Sequence, residues 1–248
     1  MQAARRARLD MGFRLEGPLP DLLAAIEGPG GAHVVLLELG EEVAGACLQR
    51  PGLVLLFLNG AQAAVRQRFT LAHEFGHCRL GHASVIDRPA DVFGAQRDPA
   101  EVAANYFAAE FLMPGQAVRR WARGRRLTLD EVVRLAADYG VSAKMARIRL
   151  ETAEALRDRA LAARLDAEID EEGLHLGLAG WFGWHDLRDE LAALSPPRVP
   201  PAMRETALGA VLAGDLTVAQ AAARSGCTPE QLRRALERMH LDRLVPLG

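Results

Sequence analysis

The chain has 248 residues, half of them hydrophobic and a quarter charged, which is typical of a globular protein and excludes a disordered one. Its formal net charge of −2 argues against a protein that binds nucleic acid over its whole surface. No apolar run approaches the length of about 18 residues that a membrane-spanning helix needs, and the N-terminus lacks the apolar segment of a secretory signal. Three scattered cysteines fit free thiols in a reducing compartment, so we expect a cytoplasmic enzyme or regulator.

The first predicted elements in chain order are short strands. Residues 32–59 contain β-branched and leucine-rich runs that end in the turn pair Asn59-Gly60, and they predict two or three strands of a small sheet. From Ala61 to about Leu80 the apolar residues recur at helical spacing, which predicts a helix. Residues 82–99 contain three aspartates, two prolines and a glycine, and we expect a loop there.

The rest of the chain is predicted to be mainly helical. A helix from Ala100 to Met113 is begun by Pro99 and stopped by Pro114. Two more helices are expected on either side of Gly140, at 129–139 and 142–168. Beyond a tryptophan- and glycine-rich segment (173–193) and a stiff proline-rich linker (195–201), residues 203–239 again have a helical pattern.

These elements predict an α+β fold. We expect a small mixed β-sheet packed on one central helix and a helical bundle, followed by a small all-α C-terminal domain. The predicted division is a domain at 1–170, a Trp/Gly-rich segment with the linker at 171–201, and a helical domain at 202–248.

The stretch TLAHEFGHCRLGH, residues 70–82, carries the pattern H-E-x-x-H on the predicted central helix. His73 and His77 are four residues apart, so their Cβ atoms lie roughly 6 Å apart on one face and their rings can converge on one metal ion. Glu74 cannot easily bind the same ion, but it can reach a water molecule there and act as general base. A chance match is the alternative, and with seven histidines it is expected on the order of once in a hundred such sequences.

A hydrolytic zinc site needs a third protein ligand, and Glu101 in the next helix is the best candidate. Asn105 shares the face of Glu101 and can accept a hydrogen bond from a ligand histidine, whereas Glu110 lies about 180° round the helix and points elsewhere. The alternative for Glu101 is an ordinary acidic residue in a first helical turn, where the helix dipole favours it.

The two segments RQRFTLAHEFGHCRLGH and EVAANYFAAEFLMP together resemble the ImmA/IrrE family of bacterial metallo-endopeptidases. The family pattern is R-x-R-F-T-x-A-H-E-x-G-H followed by E-x-x-A-N-x-F-A-A-x-L-L-M-P, and the resemblance covers about residues 32–150. It implies a gluzincin-like fold in which His73, His77 and Glu101 are metal ligands and Glu74 is the general base. Characterised members of this family cut helix-turn-helix transcriptional repressors and so release stress-response or mobile-element genes, which implies a substrate of that class.

The chemistry expected of such a site is hydrolysis of a peptide bond by an activated water. Glu74 would take a proton from the water and pass it to the leaving amine. The ion is expected to be Zn²⁺, with Mn²⁺ as the alternative, because sites of nitrogen and oxygen donors accept several divalent ions. Tyr106 is the first candidate for stabilising the oxyanion, and His82 and Tyr139 are alternatives. His82 is otherwise expected to be a loop residue off the ligand face.

Basic residues cluster in RRWARGRR, residues 119–126, where five arginines surround Trp121. Such a cluster can grip phosphates or an acidic substrate surface, and a solvated helix end is the alternative.

The C-terminal stretch LTVAQAAARSGCTPEQLRRALERM resembles a helix-turn-helix, with Gly226 at the turn. Thr228 is the predicted N-cap of the second helix, and Gln231 would complete a capping box. Residues 196–248 contain seven arginines and five acidic residues, so this module has little net positive charge for phosphate contacts. DNA binding is therefore as open as the alternative, which is a protein-docking or purely structural helical hairpin. The candidate contact residues on the second helix are Gln231, Arg233, Arg234 and Arg238.

We therefore predict a cytoplasmic, zinc-type metallo-endopeptidase that cleaves a helix-turn-helix repressor or an antitoxin-like regulator. One alternative is a non-proteolytic regulator that contains the metal and binds DNA or sequesters a repressor, and another is a toxin-like component of a gene pair. Glu74 beside both histidines favours catalysis, because a purely structural site needs no base and usually closes its fourth position.

Overall fold

The computed structural model describes residues 1–82, 85–93, 98–172 and 198–238. Within these ranges the fold is α+β, as predicted: a small mixed sheet lies between a helical bundle on one face and short C-terminal helices on the other. None of the helices in these ranges is long and apolar enough to cross a membrane.

The sheet has four strands in the order β1-β3-β2-β4. Strand β3 pairs in parallel with β1, and β2 pairs antiparallel with both β3 and β4. Successive side chains point to opposite faces of a sheet. Leu56 and Leu58 of β3 therefore join the core under the helical bundle, while Leu55 and Phe57 join the core under the C-terminal helices. The strands are β1 (His33–Leu37), β2 (Gly45–Arg50), β3 (Leu53–Asn59) and β4 (Val85–Asp87).

Strand β4 and a short helix, α4 (Pro89–Phe93), occupy part of the segment that the sequence predicts to be a loop. That prediction is wrong because a three-residue strand is too short to show a period of its own. The strand is formed by pairing with the edge of β2, where Asp87 lies opposite Gly45.

Two helices carry the central part of the molecule. Helix α3 (Ala64–Leu80) ends at Gly81, whose φ of 71° suits glycine, and α5 (Pro99–Leu112) begins at Asp98, whose side chain accepts from the backbone N–H of Ala100. Three phenylalanine rings pack between the helices, Phe75 from α3 and Phe107 and Phe111 from α5. Their ring centroids lie within 6.0 Å of one another. This packing holds α3 against α5, and the first turns of α5 contact the two histidines of the H-E-x-x-H pattern.

The remaining helices of the bundle differ from the prediction at one point. The single helix expected at 142–168 is two helices, because Glu154 has a φ of 60° and Asp158 caps a new helix by accepting from two backbone N–H groups. The prediction missed Asp158 as an N-cap. The bundle contains α1 (Gln2–Asp10), α2 (Leu22–Glu27), α6 (Gly115–Ala122), α7 (Leu129–Tyr139), α8 (Ala143–Thr152) and α9 (Arg159–Glu171).

The C-terminal helices pack on the outer face of the sheet. Arg198 leads into them: its guanidinium pairs with Glu27, and its backbone forms an isolated bridge with Leu36. The Trp/Gly-rich segment and most of the proline-rich linker lie outside the described residues, so the predicted division at 171–201 stays a prediction. The helices are α10 (Pro201–Arg204), α11 (Ala207–Leu212), α12 (Val218–Arg224) and α13 (Pro229–Arg238).

Candidate metal centre

Four buried side chains converge between α3, α5 and β4. His73 and His77 come from α3, Glu101 from the first turn of α5, and Asp87 from the end of β4. Each offers one nitrogen or oxygen atom, and these four atoms lie within 4.8 Å of one another. The structure thus brings the two histidines together with the glutamate that the sequence selected, and adds an aspartate that it did not.

The spacing of these atoms fits a common metal ion. The Nε2 atoms of His73 and His77 are 3.0 Å apart, and they lie 3.2 and 3.4 Å from the carboxylate oxygens of Glu101. Oδ2 of Asp87 lies 3.3 Å from His73 Nε2 and 3.7 Å from His77 Nε2. Two donors that are each about 2.1 Å from one ion in a tetrahedral set are about 3.4 Å apart. The donors are therefore spaced as ligands of one ion.

Several buried oxygens at the centre lack a hydrogen-bond partner within the described ranges. They are Oδ2 of Asp87, Oε2 of Glu101 and both carboxylate oxygens of Glu74. Burial of a carboxylate without a compensating charge or donor is strongly unfavourable. A divalent cation between the four donors would supply that charge, so the chemistry of the donor set also fits a metal.

The ionisable groups at the centre influence one another strongly. Burial raises the pKa of Glu74 well above its usual value, and the negative charges of Asp87 and Glu101 raise it further. Burial alone would raise the pKa of Glu101 too, but the two histidine rings outweigh it and bring it to about 2. Burial lowers the pKa of His73, yet Asp87 and Glu101 together raise it above its usual value. The site thus concentrates negative charge around the two rings.

The outer nitrogens of both histidines are held by neighbouring side chains. Nδ1 of His73 lies 3.0 Å from Oδ1 of Asn105, as the sequence predicts for a residue supporting a ligand histidine. Nδ1 of His77 lies 2.9 Å from Nδ1 of His82. Both rings therefore turn Nε2 towards the other donors.

His82 is a loop residue, as predicted, but it contacts His77, which the sequence did not indicate. His82 follows the end of α3, but Gly81 adopts a left-handed conformation there and the N–H of His82 bonds back to the carbonyl of His77. This turn carries the imidazole of His82 back against that of His77. Helical spacing could not indicate the contact because the chain has already left the helix.

Glu74 lies beneath β2 at Gly45. A Cβ built on Gly45 would meet Oε1 of Glu74, and it would lie 2.7 Å from Cγ2 of Thr70 and 3.0 Å from the carbonyl oxygen of Phe57. The absence of a side chain at Gly45 therefore leaves the space that the Glu74 carboxylate occupies. Glu74 itself is fully buried.

Other predicted residues are not among the four converging donors. Tyr106 is 55% exposed and lines a cavity of about 500 Å³ with Phe69 and Met145. Tyr139 is buried in the core of the bundle, and its pKa is raised by that burial. Glu110 points to the opposite side of α5, as predicted from the helical period.

Asp87 is the residue at the centre that sequence reasoning missed. Its signal is weak: one aspartate, ten residues after His77, in a segment whose polar composition resembles a loop. Only the pairing of β4 with β2 brings Asp87 beside the histidines.

The basic run and the C-terminal helices contain several side chains that already have partners. In the run, Arg120 pairs with Glu16, and Arg125 lies over the Trp121 ring while pairing with Glu131.

The predicted capping box between Thr228 and Gln231 is present in both directions, at 3.2 and 2.8 Å. On α13, Gln231 and Arg234 are exposed, Arg233 is half-buried, and the side chain of Arg238 lies outside the described atoms.

A family model, the IrrE N-terminal-like domain of the peptidase M78 family, matches residues 31–151. The match contains β1 to β4 and every residue of the candidate centre, and it ends within α8. A search of curated proteins found no match. Residues 31–151 therefore form an IrrE N-terminal-like domain, which supports a metallopeptidase of the ImmA/IrrE family.

Proposed function

We propose that this protein is a metal-dependent endopeptidase in which His73, His77 and Glu101 hold the ion and Glu74 is the general base. The observation that carries this proposal is the convergence of the buried donors at ligand spacing, with the unpaired carboxylate of Glu74 in the same site. Zn²⁺ is the proposed ion, with Mn²⁺ as the alternative, because imidazole and carboxylate donors accept both.

The roles of the side chains follow from their environments. A bound divalent ion lowers the pKa of a water molecule and polarises a carbonyl. Glu74 accepts the proton of the attacking water and later donates it to the leaving nitrogen. Asn105 and His82 fix the planes of the two ligand rings. Tyr106, which follows Asn105 on α5, stays the proposed oxyanion stabiliser.

The proposed substrate is a helix-turn-helix repressor or an antitoxin-like regulator in the cytoplasm. The family resemblance supports this class, and the free cysteines in the described ranges fit a reducing compartment. The C-terminal helices present Gln231 and Arg234 to solvent, which suits a contact with DNA or with the substrate protein. The same helices support the alternative of a regulator that contains metal but does not cleave.

The test compares wild-type protein with Glu74→Gln on a panel of purified helix-turn-helix regulators, using intact-mass spectrometry to detect cleavage. Both proteins should contain about one divalent ion per chain. Cleavage by Glu74→Gln should fall by about 10²–10⁴-fold, the usual contribution of a general base. Glu168→Gln, a change on the exposed face of α9, is the matched control and should cleave like the wild type.

Equal cleavage by the metal-loaded Glu74→Gln variant and the wild type would overturn the mechanism. Full metal content without cleavage of any regulator in the panel would instead favour the non-proteolytic alternative.

A further inference from the structure

The backbone of Asp87 is held firmly at the edge of the sheet. Asp87 is the last residue of β4 and lies opposite Gly45 of β2. Its carbonyl oxygen accepts a hydrogen bond of 2.7 Å from the N–H of Ala44. The direction of its side chain is therefore set by strand pairing, and that direction leads into the site, where only 4% of the side chain is exposed.

The side chain of Asp87 faces the two histidine rings at short range. Oδ1 of Asn105 can only accept a hydrogen bond, so Nδ1 of His73 carries a proton. The other ring nitrogen of His73, Nε2, lies 3.3 Å from Oδ2 of Asp87. Oδ2 has no hydrogen-bond partner in the described parts of the chain. A buried oxygen this close to both ring nitrogens has the position of a further donor to the same ion.

We propose that Asp87 is a fourth protein ligand of the metal ion, through Oδ2, beside His73, His77 and Glu101. The inference rests on the proposed metal centre and adds a residue to it. Its distances to the two histidines, 3.3 and 3.7 Å, match those of Glu101, 3.2 and 3.4 Å. Asp87 is therefore placed as well as Glu101, the glutamate that the family resemblance selects, to bind the same ion.

A fourth protein ligand changes how the site operates. Catalytic zinc sites usually have three protein ligands and an open position, whereas four protein ligands are typical of structural sites. With Asp87 bound, a tetrahedral ion has no open position. Peptide hydrolysis then needs either a fifth ligand at the ion or the withdrawal of Asp87. Since Asp87 belongs to a three-residue edge strand, the resting site is closed by an element that contributes few sheet hydrogen bonds.

The experiment measures metal affinity and the ion's coordination in the full chain, with no need for a substrate. Zinc dissociation constants are determined by competition with a chelator, and visible spectra are recorded on Co²⁺-loaded protein. Asp87→Asn should weaken zinc binding by at least about 10–100-fold, the loss typical of even an indirect partner of a metal ligand. Its Co²⁺ absorption should also change in intensity, because an anionic carboxylate ligand is replaced by a weaker neutral amide oxygen or by solvent.

Two variants calibrate the result. Glu101→Gln removes a proposed ligand and should lose affinity at least as strongly as Asp87→Asn. Glu74→Gln removes a carboxylate of the same site that is not a proposed ligand, and its affinity should stay within about threefold of wild type, well below the loss expected for a ligand.

The outcomes separate this inference from the proposed function. If Asp87→Asn has the Co²⁺ spectrum of the wild type, Asp87 does not bind the ion, even if Glu101→Gln confirms the metal centre. A wild-type protein that binds no ion would overturn the proposed function and the inference together. If Asp87→Asn does not fold, a crystal structure of the zinc-loaded wild type decides: an Oδ2–Zn distance of about 2.0–2.2 Å supports the ligand, and one above about 3 Å overturns it.

Discussion

Helix α5 carries two buried glutamates, nine residues apart on opposite faces, and their surroundings differ in kind. Glu110 accepts hydrogen bonds from Arg5 at 2.8 Å, from the N–H of Gly115 at 3.1 Å, and from Arg149. Glu101 faces two imidazoles and Asp87, and its Oε2 has no hydrogen-bond partner in the described ranges. Glu110 is neutralised by two arginines, whereas Glu101 faces only the other donors of the candidate metal centre. That difference distinguishes a structural carboxylate from a proposed metal ligand on one helix.

The largest expected effect concerns Glu110. Glu110→Gln leaves the buried guanidinium of Arg149 without its counter-charge, and removing one partner of a buried ion pair typically costs about 3–5 kcal/mol of unfolding free energy. Urea denaturation monitored by circular dichroism measures this loss. Glu168→Gln on exposed α9 should change stability by less than about 0.5 kcal/mol. Equal, small losses in both variants would contradict the structural role of Glu110.

The next effect concerns Glu101 and depends on metal. At a free zinc concentration 100-fold above the dissociation constant, a ligand that binds only the folded state adds about 2.7 kcal/mol to the unfolding free energy. Wild-type protein should show this gain over protein in a chelator, and Glu101→Gln should lose most of it. Glu110→Gln, although less stable, should keep the gain because its carboxylate does not face the ion. An undiminished gain in Glu101→Gln would remove Glu101 from the ligand set.

Much of the centre was predictable from the sequence because its signals are local. His73, Glu74 and His77 lie within two helical turns, and the face shared by Glu101 and Asn105 follows from the helical period. The fold class followed from the same periodicities.

The contacts that sequence reasoning missed depend on chain reversals and on strand pairing. Asp87 reaches the site only because β4 pairs with β2, and His82 reaches it only because Gly81 turns the chain back. The space beneath Gly45 likewise exists only after the sheet has packed on α3. No period within a short segment encodes these three contacts.

A smaller effect is expected at Gly45, on the side of the centre where Glu74 lies. In Gly45→Ala, the added methyl group meets the Glu74 carboxylate and Cγ2 of Thr70 beneath a paired strand, and overpacking of this kind costs about 1–3 kcal/mol. Peptide cleavage should fall more than zinc affinity, because the atom nearest to the added methyl group belongs to the proposed general base rather than to a proposed ligand. Stability, zinc affinity and cleavage measured on one preparation test this ranking.

Gly40→Ala is the matched control for Gly45→Ala, because a Cβ on Gly40 meets no atom within 4 Å. It should leave stability and cleavage close to the wild type. If Gly45→Ala behaves like Gly40→Ala, the carboxylate of Glu74 is not confined by the sheet.

The smallest effect is the pH dependence that Glu110 adds to stability. Burial would raise the pKa of Glu110, but Arg5, Arg149 and the N–H of Gly115 lower it below its usual value. A carboxyl group whose pKa is lower in the folded state stabilises the protein above its unfolded pKa, about 4.3, and this contribution disappears as the pH falls through the folded pKa. The difference in unfolding free energy between wild type and Glu110→Gln should therefore narrow below about pH 4–5, with a slope of at most about 1.4 kcal/mol per pH unit for one group.

Urea denaturation of both proteins at several pH values measures this difference. A chelator is present throughout, so that the metal centre contributes equally to both proteins. A difference that stays constant down to pH 3 would show that the ion pairs of Glu110 do not lower its pKa in the folded protein.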